Sequence, residues 1–415
     1  MPYEELSKLF YKDGSQDRYR VNSEKAQERL SAESTFRSGI VFNEDELFLA
    51  MPRELSVIIE RVLRRERKAS AAFKALPPIA RGAFTRSLII DEVVCSNGIE
   101  GVRSTRRQVS DVLDEVKHGD STDGLQSKRF KEFAKLYLGL SEKTSVMPHS
   151  PEDIRGIYDL LMAGEDLDGN TPDGRLFRKD PVDIIDGRGR TAHSGVNPER
   201  RIIEMVESML SLQENEEVPQ ICSAVMAHYV FEAVHPFYDG NGRTGRYLLA
   251  LALSDPLSVS TALSLSRVIA ENKESYYQAF KTVQHPMNHG ELTFFVMRML
   301  EYVLEAQANN IERLELGRGQ MEGARSAARL AVGSDEVNEK GGDLLFMFAQ
   351  VQLFGWTPEV LLADAANYLS LSPQMARKHL KTLEEKGLIE TLSQRPLKFQ
   401  LSARGRGLMG LLEGE

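Results

Sequence analysis

Cysteine is scarce in this sequence, and long apolar runs are missing. Cys95 and Cys222 are the two cysteines among 415 residues. They are too few for a disulfide framework and lack the spacing of metal ligands, so we expect both in the core. The most apolar stretches, such as residues 247–253, are far shorter than the roughly 20 residues that cross a bilayer. The N-terminus also lacks the basic-then-apolar pattern of a signal peptide. These absences predict a cytoplasmic protein with no membrane partner.

An excess of positive charge is missing as well. The chain carries 52 Lys+Arg against 61 Asp+Glu, a formal net charge of −9. This argues against a dedicated nucleic-acid coat, although it is compatible with a local basic face. Hydrophobic residues make up 41% and charged residues 27% of the chain, which excludes collagen-like and wholly disordered classes. At about 150 residues per domain, the length predicts two to three domains.

Apolar residues at helical spacing occupy most of the chain, so the predicted fold class is mainly α. Residues 1–48 are polar and irregular in pattern, and the region 1–80 is expected to be partly helical with no assigned role. A helical core is predicted over 81–316. It contains one strand-like segment followed by a glycine-rich turn, which predicts a small β-hairpin. Glycines then mark a linker over 317–342, and a separate module follows at 343–415.

The C-terminal module resembles a winged helix-turn-helix in its order of elements. Its third predicted helix has Ser372 at the N-cap and Pro373 at the first helical position. Gly387 ends that helix, and alternating strands are predicted at 388–392 and 397–401. The helix collects polar and basic side chains that suit a recognition helix for DNA, namely Gln374, Arg377, Lys378 and Lys381.

The charge of this module leaves its partner open. Residues 341–415 contain eight Lys+Arg and eight Asp+Glu, so few phosphate contacts are available to a nucleic acid. DNA is therefore one predicted partner. The alternatives are a second copy of the chain, which would make a homodimer, and protein targets presented by the module.

The most informative segment lies between two strongly apolar helices and reads His235-Pro236-Phe237-Tyr238-Asp239-Gly240-Asn241-Gly242-Arg243-Thr244-Gly245-Arg246. Pro236 disfavours helical geometry at the residue before it, so the first helix ends at His235 and leaves the imidazole at the mouth of a loop. Gly240, Asn241 and Gly242 allow a tight turn, and their N–H groups precede a helix N-terminus, which attracts anions.

Three charged side chains complete this predicted phosphate site. Arg243 and Arg246 share one face of the second helix and can clamp further phosphate oxygens. Asp239 supplies a hard oxygen ligand, as a Mg²⁺ shared with a diphosphate requires. His235 is the candidate general base.

The segment matches His-x-Phe-x-Asp/Glu-Gly-Asn-Gly-Arg-x-x-Arg at every specified position. Uniform residue frequencies give such a match on the order of 10⁻⁸ of the time in a chain this long. It resembles the signature of the Fic family, whose all-helical core transfers AMP from ATP to hydroxyl side chains of target proteins. The resemblance extends over about residues 80–300 and implies protein adenylyltransferase activity, with ATP as substrate and Mg²⁺ as cofactor.

The resemblance also implies a role for each motif residue. His235 would deprotonate the incoming Ser, Thr or Tyr hydroxyl, which could belong to another protein or to this chain itself. Phe237 would point into the core and hold the loop. The residues expected to bind the nucleotide are Asp239 as the Mg²⁺ ligand, Gly240, Asn241 and Gly242 at the anion hole, and Arg243 and Arg246 as anchors for the β- and γ-phosphates.

Two neighbouring segments fit the same resemblance. Tyr276 and Tyr277 lie where the family has a tyrosine pair near the adenine, and Tyr277 is the better candidate for that contact; ordinary helix packing is the alternative. The predicted hairpin, within 177–195, resembles the flap on which Fic enzymes hold a target chain by strand addition. The flap residues singled out are Val182, Asp183, Ile184 and Ile185. A plain surface hairpin is the alternative.

An upstream segment resembles the inhibitory pattern of the family, Ser/Thr-x-x-x-Glu-Gly/Asn. Ser96, Glu100 and Gly101 occupy its specified positions, and although a chance match is expected in about one such chain in five, the segment ends a predicted helix at 84–101 upstream of the signature. The resemblance implies that Glu100 pairs with Arg246 and displaces the γ-phosphate.

Two other functions are compatible with these residues. A Fic-like core could sense nucleotide as part of a DNA-binding transcriptional regulator, although such a sensor needs the phosphate cradle and not the base, His235. Relatives of this fold can also transfer other phosphate-bearing groups or remove AMP. The presence of both arginines of the motif favours ATP as the substrate.

Overall fold

A computed structural model of the chain describes residues 2–118, 125–185 and 191–411. The backbone is mainly helical, as predicted. It divides into two compact units: unit 1 comprises Met1–Arg67 and Ile89–Ala308, and unit 2 comprises Lys68–Leu88 and Asn309–Glu415. Across the described residues, no helix is both long and apolar enough to cross a bilayer.

Unit 1 begins with two helices and a hairpin. The elements are α1 (Leu6–Lys12), α2 (Arg18–Leu30), β1 (Phe36–Phe42) and β2 (Asp45–Leu49), with β1 and β2 antiparallel. The two helices agree with the expectation that the region 1–80 is partly helical, whereas the hairpin was not predicted. Asn43 and Glu44 both have positive φ values, of 50° and 73°, which is the geometry of a two-residue hairpin turn.

The remainder of unit 1 is a set of helices around a buried central pair. The helices are α3 (Arg53–Lys74), α4 (Pro78–Ile99), α5 (Arg106–His118), α6 (Leu125–Ser141), α7 (Pro151–Leu161), α8 (Glu199–Glu214), α9 (Gln220–Val234), α10 (Asn241–Leu253), α11 (Val259–Ala262), α12 (Leu265–Glu271), α13 (Lys273–Gln284) and α14 (Thr293–Gly333). Three of them, α3, α4 and α14, contribute residues to both units. The central pair is α9 and α10, whose side chains are nearly all buried. Cys222 on α9 is buried as expected, whereas Cys95 on α4 is only half-buried.

The predicted hairpin is present in unit 1. It consists of β3 (Asp183–Ile185) and β4 (Thr191–Ser194), which are antiparallel. Asp183 lies opposite Ser194, whose hydroxyl donates to the aspartate carboxylate over 2.5 Å. The predicted glycine-rich turn, residues 186–190, lies outside the described residues.

The linker predicted over 317–342 is wrong for most of its length, because α14 continues to Gly333 and the next helix begins at Glu339. Alanine, leucine, methionine, arginine and glutamate dominate this stretch, and all are good helix formers. Ala324, Ala328 and Ala331 are buried in the core of unit 2. Each glycine costs the helix about 1 kcal/mol relative to alanine, and burial of this face outweighs that cost.

The C-terminal part of unit 2 contains the predicted helices and strands. They are α15 (Glu339–Phe354), β5 (Val360–Leu361), α16 (Leu362–Leu369), α17 (Pro373–Glu385), β6 (Ile389–Gln394), β7 (Leu397–Leu401) and α18 (Ala403–Leu408). The strands form an antiparallel sheet in the order β5-β7-β6. As predicted, Ser372 caps α17 by accepting a hydrogen bond from the Met375 N–H, with Pro373 at the first position. The assignment of this module as a winged helix stays a prediction.

Candidate active site

His235 lies where α9 ends, as the sequence predicts. The helix stops at Val234, and His235 adopts a left-handed conformation (φ 53°, ψ 63°) rather than the extended one usual before proline. Its Nδ1 is 3.4 Å from the Glu232 carbonyl oxygen. Burial lowers the pKa of His235 to about 4, so the imidazole is neutral near pH 7. A ring that donates from Nδ1 keeps Nε2 free to accept a proton.

Arg178, which no sequence motif singled out, fixes this loop. The side chain is fully buried, and its Nε donates to the His235 carbonyl over 2.8 Å. Its two other nitrogens donate to the carbonyls of Asp180 and Val196, over 2.7 and 2.6 Å. Arg178 therefore ties the end of α9 to the chain on both sides of the β3–β4 hairpin.

The side chains of Phe237 and Asn241 shape the turn that follows. Phe237 points into the core, as the resemblance implies, and stacks on Tyr158 with ring centroids 3.6 Å apart. The Asn241 amide donates to the Phe237 carbonyl over 2.7 Å and accepts from its N–H over 2.9 Å. Both ends of this amide are therefore engaged within the loop and hold its turn.

The N-terminus of α10 is left open by its glycines. Gly240 is the N-cap, with φ 79°, so no N-cap side chain covers the first-turn N–H groups. A Cβ atom at Gly242 would overlap the Glu100 carboxylate and crowd the Arg246 guanidinium. The glycines thus leave room for an anionic group at this helix N-terminus, which carries partial positive charge, and in this structure the Glu100 carboxylate lies beside it.

Arg246 is paired with the glutamate that the resemblance singles out. Its Nη1 donates to Glu100 Oε1 over 2.8 Å, and the two side chains are 2% and 30% exposed. Its Nε and Nη2 donate to the hydroxyl and carbonyl oxygens of Ser96, over 3.0 and 2.8 Å. Burial alone would raise the pKa of Glu100, but the charge of Arg246 outweighs it and the net pKa is lowered. Gly101, with φ 76°, adopts a left-handed conformation just beyond the end of α4.

Arg243 has its own buried carboxylate partner, Glu165, which the sequence did not indicate. Arg243 Nη1 is 3.1 Å from Glu165 Oε1, with side chains 2% and 7% exposed. Arg243 Nη2 lies 3.7 Å from Asp239 Oδ2. Both arginines of the motif are therefore ion-paired in one site.

Asp239 carries the carboxylate of the motif, and this carboxylate is accessible to an incoming ligand. Its side chain is 51% exposed, and its Oδ1 accepts the Gly240 N–H over 2.6 Å. The described residues contain no cluster of three or more metal-binding side chains. One exposed carboxylate fits Mg²⁺, which commonly binds one or two protein carboxylates and completes its shell with water and phosphate oxygens.

The structure separates the two tyrosines expected near the adenine. Tyr276 is 2% exposed, and its hydroxyl lies 2.8 Å from Nε2 of buried His228, so it belongs to the core. Tyr277 is 40% exposed. The Lys273 ammonium lies 5.8 Å from the Tyr277 ring centroid and also donates to the Ile99 carbonyl at the end of α4. Tyr277 is thus the member of the pair that a ligand can reach.

The hairpin is anchored close to His235. The N–H of Val196, beyond β4, donates to the Val234 carbonyl over 3.0 Å. On β4, His193 Nε2 is 2.6 Å from the Ala233 carbonyl oxygen. Of the predicted flap residues, Asp183 is exposed and Val182 and Ile184 are partly exposed; the backbone of Ile185 lies in β3.

A neutral imidazole, the N-terminus of a helix and two buried arginines lie together in one candidate site, and this donor set is suited to a phosphate-bearing ligand. Residues 148–253 match the model of the Fic/DOC family. The chain is therefore similar to the Fic/DOC family over a stretch that contains the whole segment from His235 to Arg246.

Two curated relatives are protein adenylyltransferases by name. A probable protein adenylyltransferase of Aquifex aeolicus (strain VF5) is 28% identical over 206 residues, covering 48% of this chain and 57% of the relative. The protein adenylyltransferase fic-1 of Caenorhabditis elegans is 32% identical over 147 residues, covering 33% of this chain and 26% of the relative. The matches thus span only part of each relative's length.

A solved structure supports the fold. The crystal structure of a Fic family protein from Desulfovibrio desulfuricans G20 superimposes with a TM-score of 0.53 at 20% identity, over 85% of this chain and 97% of that one. At this identity the likeness concerns the fold alone.

Proposed function

We propose that this protein is an adenylyltransferase that transfers AMP from ATP to a Ser, Thr or Tyr hydroxyl of a target protein and releases pyrophosphate. The observation that carries the proposal is the position of neutral His235 beside the N-terminus of α10, with Arg243 and Arg246 on that helix. The adenylyltransferase names of two relatives support it.

The chain's residues would act as follows. The first-turn N–H groups of α10 and the two arginines hold the phosphates of ATP, and exposed Tyr277 contacts the adenine. The β3–β4 hairpin holds the target beside His235. The target hydroxyl oxygen bonds to the α-phosphorus as the bond from that phosphorus to the pyrophosphate oxygen breaks. The hydroxyl proton passes to His235 Nε2. Asp239 would hold Mg²⁺, which when bound neutralises charge on the phosphates.

Glu100 would keep this activity low. Arg246 is almost fully buried and already bonded to Glu100 and Ser96, so a γ-phosphate must compete with a charge-assisted hydrogen bond for the same guanidinium. Glu100 is the more exposed partner, at 30%. Its removal leaves Arg246 available to the nucleotide.

The test uses α-labelled ATP with Mg²⁺ and intact mass, with the chain itself as acceptor. We expect an adduct of about 329 Da, one AMP, chiefly in Glu100→Gly, and a loss of at least about 100-fold in Glu100→Gly/His235→Ala because a general base contributes about 10²- to 10⁴-fold. His149→Ala in the Glu100→Gly background is the matched control, since His149 is an exposed histidine paired with Glu214 outside the site.

Other outcomes separate the competing functions. An adduct of a different mass would identify another transferred group. If no variant is labelled although Mg²⁺·ATP raises the melting temperature, the nucleotide-sensing regulator replaces the enzyme. Equal labelling of wild type and Glu100→Gly would remove Glu100 as a brake while leaving the transfer in place.

A further inference from the structure

Arg243 and Glu165 form the second of two ion pairs in the site, and the pair differs from that of Arg246. Both side chains are buried, at 2% and 7% exposed, with 3.1 Å between Nη1 and Oε1. Glu165 lies 78 residues before Arg243, in the loop after α7. We propose that Glu165 is a positioning residue that fixes the Arg243 guanidinium for the phosphates of the nucleotide. The proposal rests on the nucleotide site described above.

Burial distinguishes this pair from a displaceable brake. Glu100 is 30% exposed, so it can leave Arg246 for solvent. Glu165 is 7% exposed, and separating a buried pair leaves an uncompensated charge on Arg243, which is strongly unfavourable. Glu165 is therefore expected to stay bound to Arg243 when the nucleotide binds.

Arg243 has further N–H donors besides the one that binds Glu165. A guanidinium has five N–H donors in a rigid plane, and the Glu165 contact uses one at Nη1. Nη2 faces Asp239 at 3.7 Å, beyond hydrogen-bond length. Nε is buried and, among the residues that the structure describes, has no hydrogen-bond partner. A phosphate oxygen is an acceptor suited to such donors.

The direction in which Glu165→Gln changes nucleotide affinity distinguishes a positioning residue from an inhibitory one. If Glu165 orients Arg243, Glu165→Gln loosens the guanidinium and weakens nucleotide binding, whereas a second brake would give tighter binding. The position of Asp239 supports orientation, because Glu165 and Asp239 contact different nitrogens of one guanidinium and so define its plane.

The experiment measures the dissociation constant of Mg²⁺·ATP by calorimetry in Glu100→Gly/His235→Ala, which cannot turn ATP over. Adding Glu165→Gln is expected to raise this constant about 10-fold or more. Asp166→Asn, an exposed carboxylate in the same loop, is the matched control and should leave it unchanged. In the Glu100→Gly background, KM for ATP should rise more than kcat falls.

A double-mutant cycle tests the pair independently of the nucleotide. The melting temperatures of Glu165→Gln, Arg243→Gln and the double variant should be non-additive, with the double variant no worse than the more destabilised single variant. Unchanged or tighter ATP binding in Glu165→Gln overturns the proposal. If the parent variant binds no Mg²⁺·ATP, the nucleotide site itself fails, and additive melting shifts would then also remove Glu165 as the group that fixes Arg243.

Discussion

Glu92, on the same helix as Ser96, has an unusual environment for a carboxylate. It is 1% exposed, and its oxygens accept hydrogen bonds from the N–H and hydroxyl of Ser266 over 3.0 and 2.5 Å. Burial raises its pKa to about 7, against about 4.3 for an unperturbed glutamate. Between these values the folded protein binds a proton that the unfolded chain has released. The contribution of Glu92 to stability is therefore complete below about pH 4 and is lost as pH rises through about 7.

Glu92→Gln removes this titration. As the pH rises from 5 to about 8.5, wild type must ionise a buried group and the variant does not. The free energy of unfolding of the variant should therefore gain at most about 3 kcal/mol on that of wild type over this range. Urea denaturation at several pH values measures the difference. Glu207→Gln, an exposed glutamate on α8, is the control. A pH-independent gap between Glu92→Gln and wild type would contradict the prediction.

At the residue scale, the sequence predicted the ion pair whose members both lie in recognisable patterns. It did not predict contacts made by residues outside any such pattern. Glu100 was expected beside Arg246 because two separate patterns resemble one family, and the pair is present at 2.8 Å. Glu165 and Arg178 belong to loops without apolar periodicity. Their partners, Arg243 and the His235 carbonyl, lie 78 and 57 residues away, a distance over which spacing carries no information on contacts.

The C-terminus of α4 is held in place by a contact next to Glu100, the proposed brake. The last carbonyls of a helix lack partners within the helix, and cations stabilise them. Here the Ile99 carbonyl accepts a hydrogen bond from Lys273 on α13, directly before Glu100. Lys273 therefore ties the end of α4 to the helix that carries Tyr277.

Lys273→Met should release this end while keeping the length of the side chain. A hydrogen bond to a charged group contributes roughly 1.5 kcal/mol or more, so we expect AMP transfer to rise about 10-fold in an otherwise wild-type chain. Lys281→Met, an exposed lysine on the same helix, should change nothing. The rise should be absent in Glu100→Gly, and an equal rise there would show that Lys273 acts on something other than the brake.

At the element scale, two differences between the sequence prediction and the structure have separate physical causes. The glycines within 317–342 predict a linker. Burial of the alanine face nevertheless keeps α14 helical as far as Gly333. The β1–β2 hairpin was missed because its turn uses Asn43 and Glu44 in place of an Asn-Gly pair. The β3–β4 hairpin was predicted correctly.

At the scale of the whole molecule, negative charge is distributed unevenly. The chain has a net charge of −9, whereas residues 341–415 contain equal numbers of acidic and basic residues. The basic residues of α17 are concentrated on its outer face: Arg377, Lys378 and Lys381 are exposed together with Gln374, while Leu380 and Leu383 are buried. This face is where an anionic partner can approach an otherwise acidic protein.

We expect this face to bind duplex DNA, and salt dependence is the decisive measurement. Three phosphate contacts predict that the logarithm of the association constant falls with the logarithm of salt with a slope of about −3. Fluorescence anisotropy of the full chain on a labelled duplex measures it. Arg377→Glu/Lys378→Glu should abolish binding, whereas Arg318→Glu/Arg329→Glu, the same charge change at exposed positions on α14, should retain it. Equal losses would indicate general electrostatic attraction. An absence of salt-dependent binding would leave protein contacts as the role of α17, because a neutral module without phosphate contacts has no means of holding DNA.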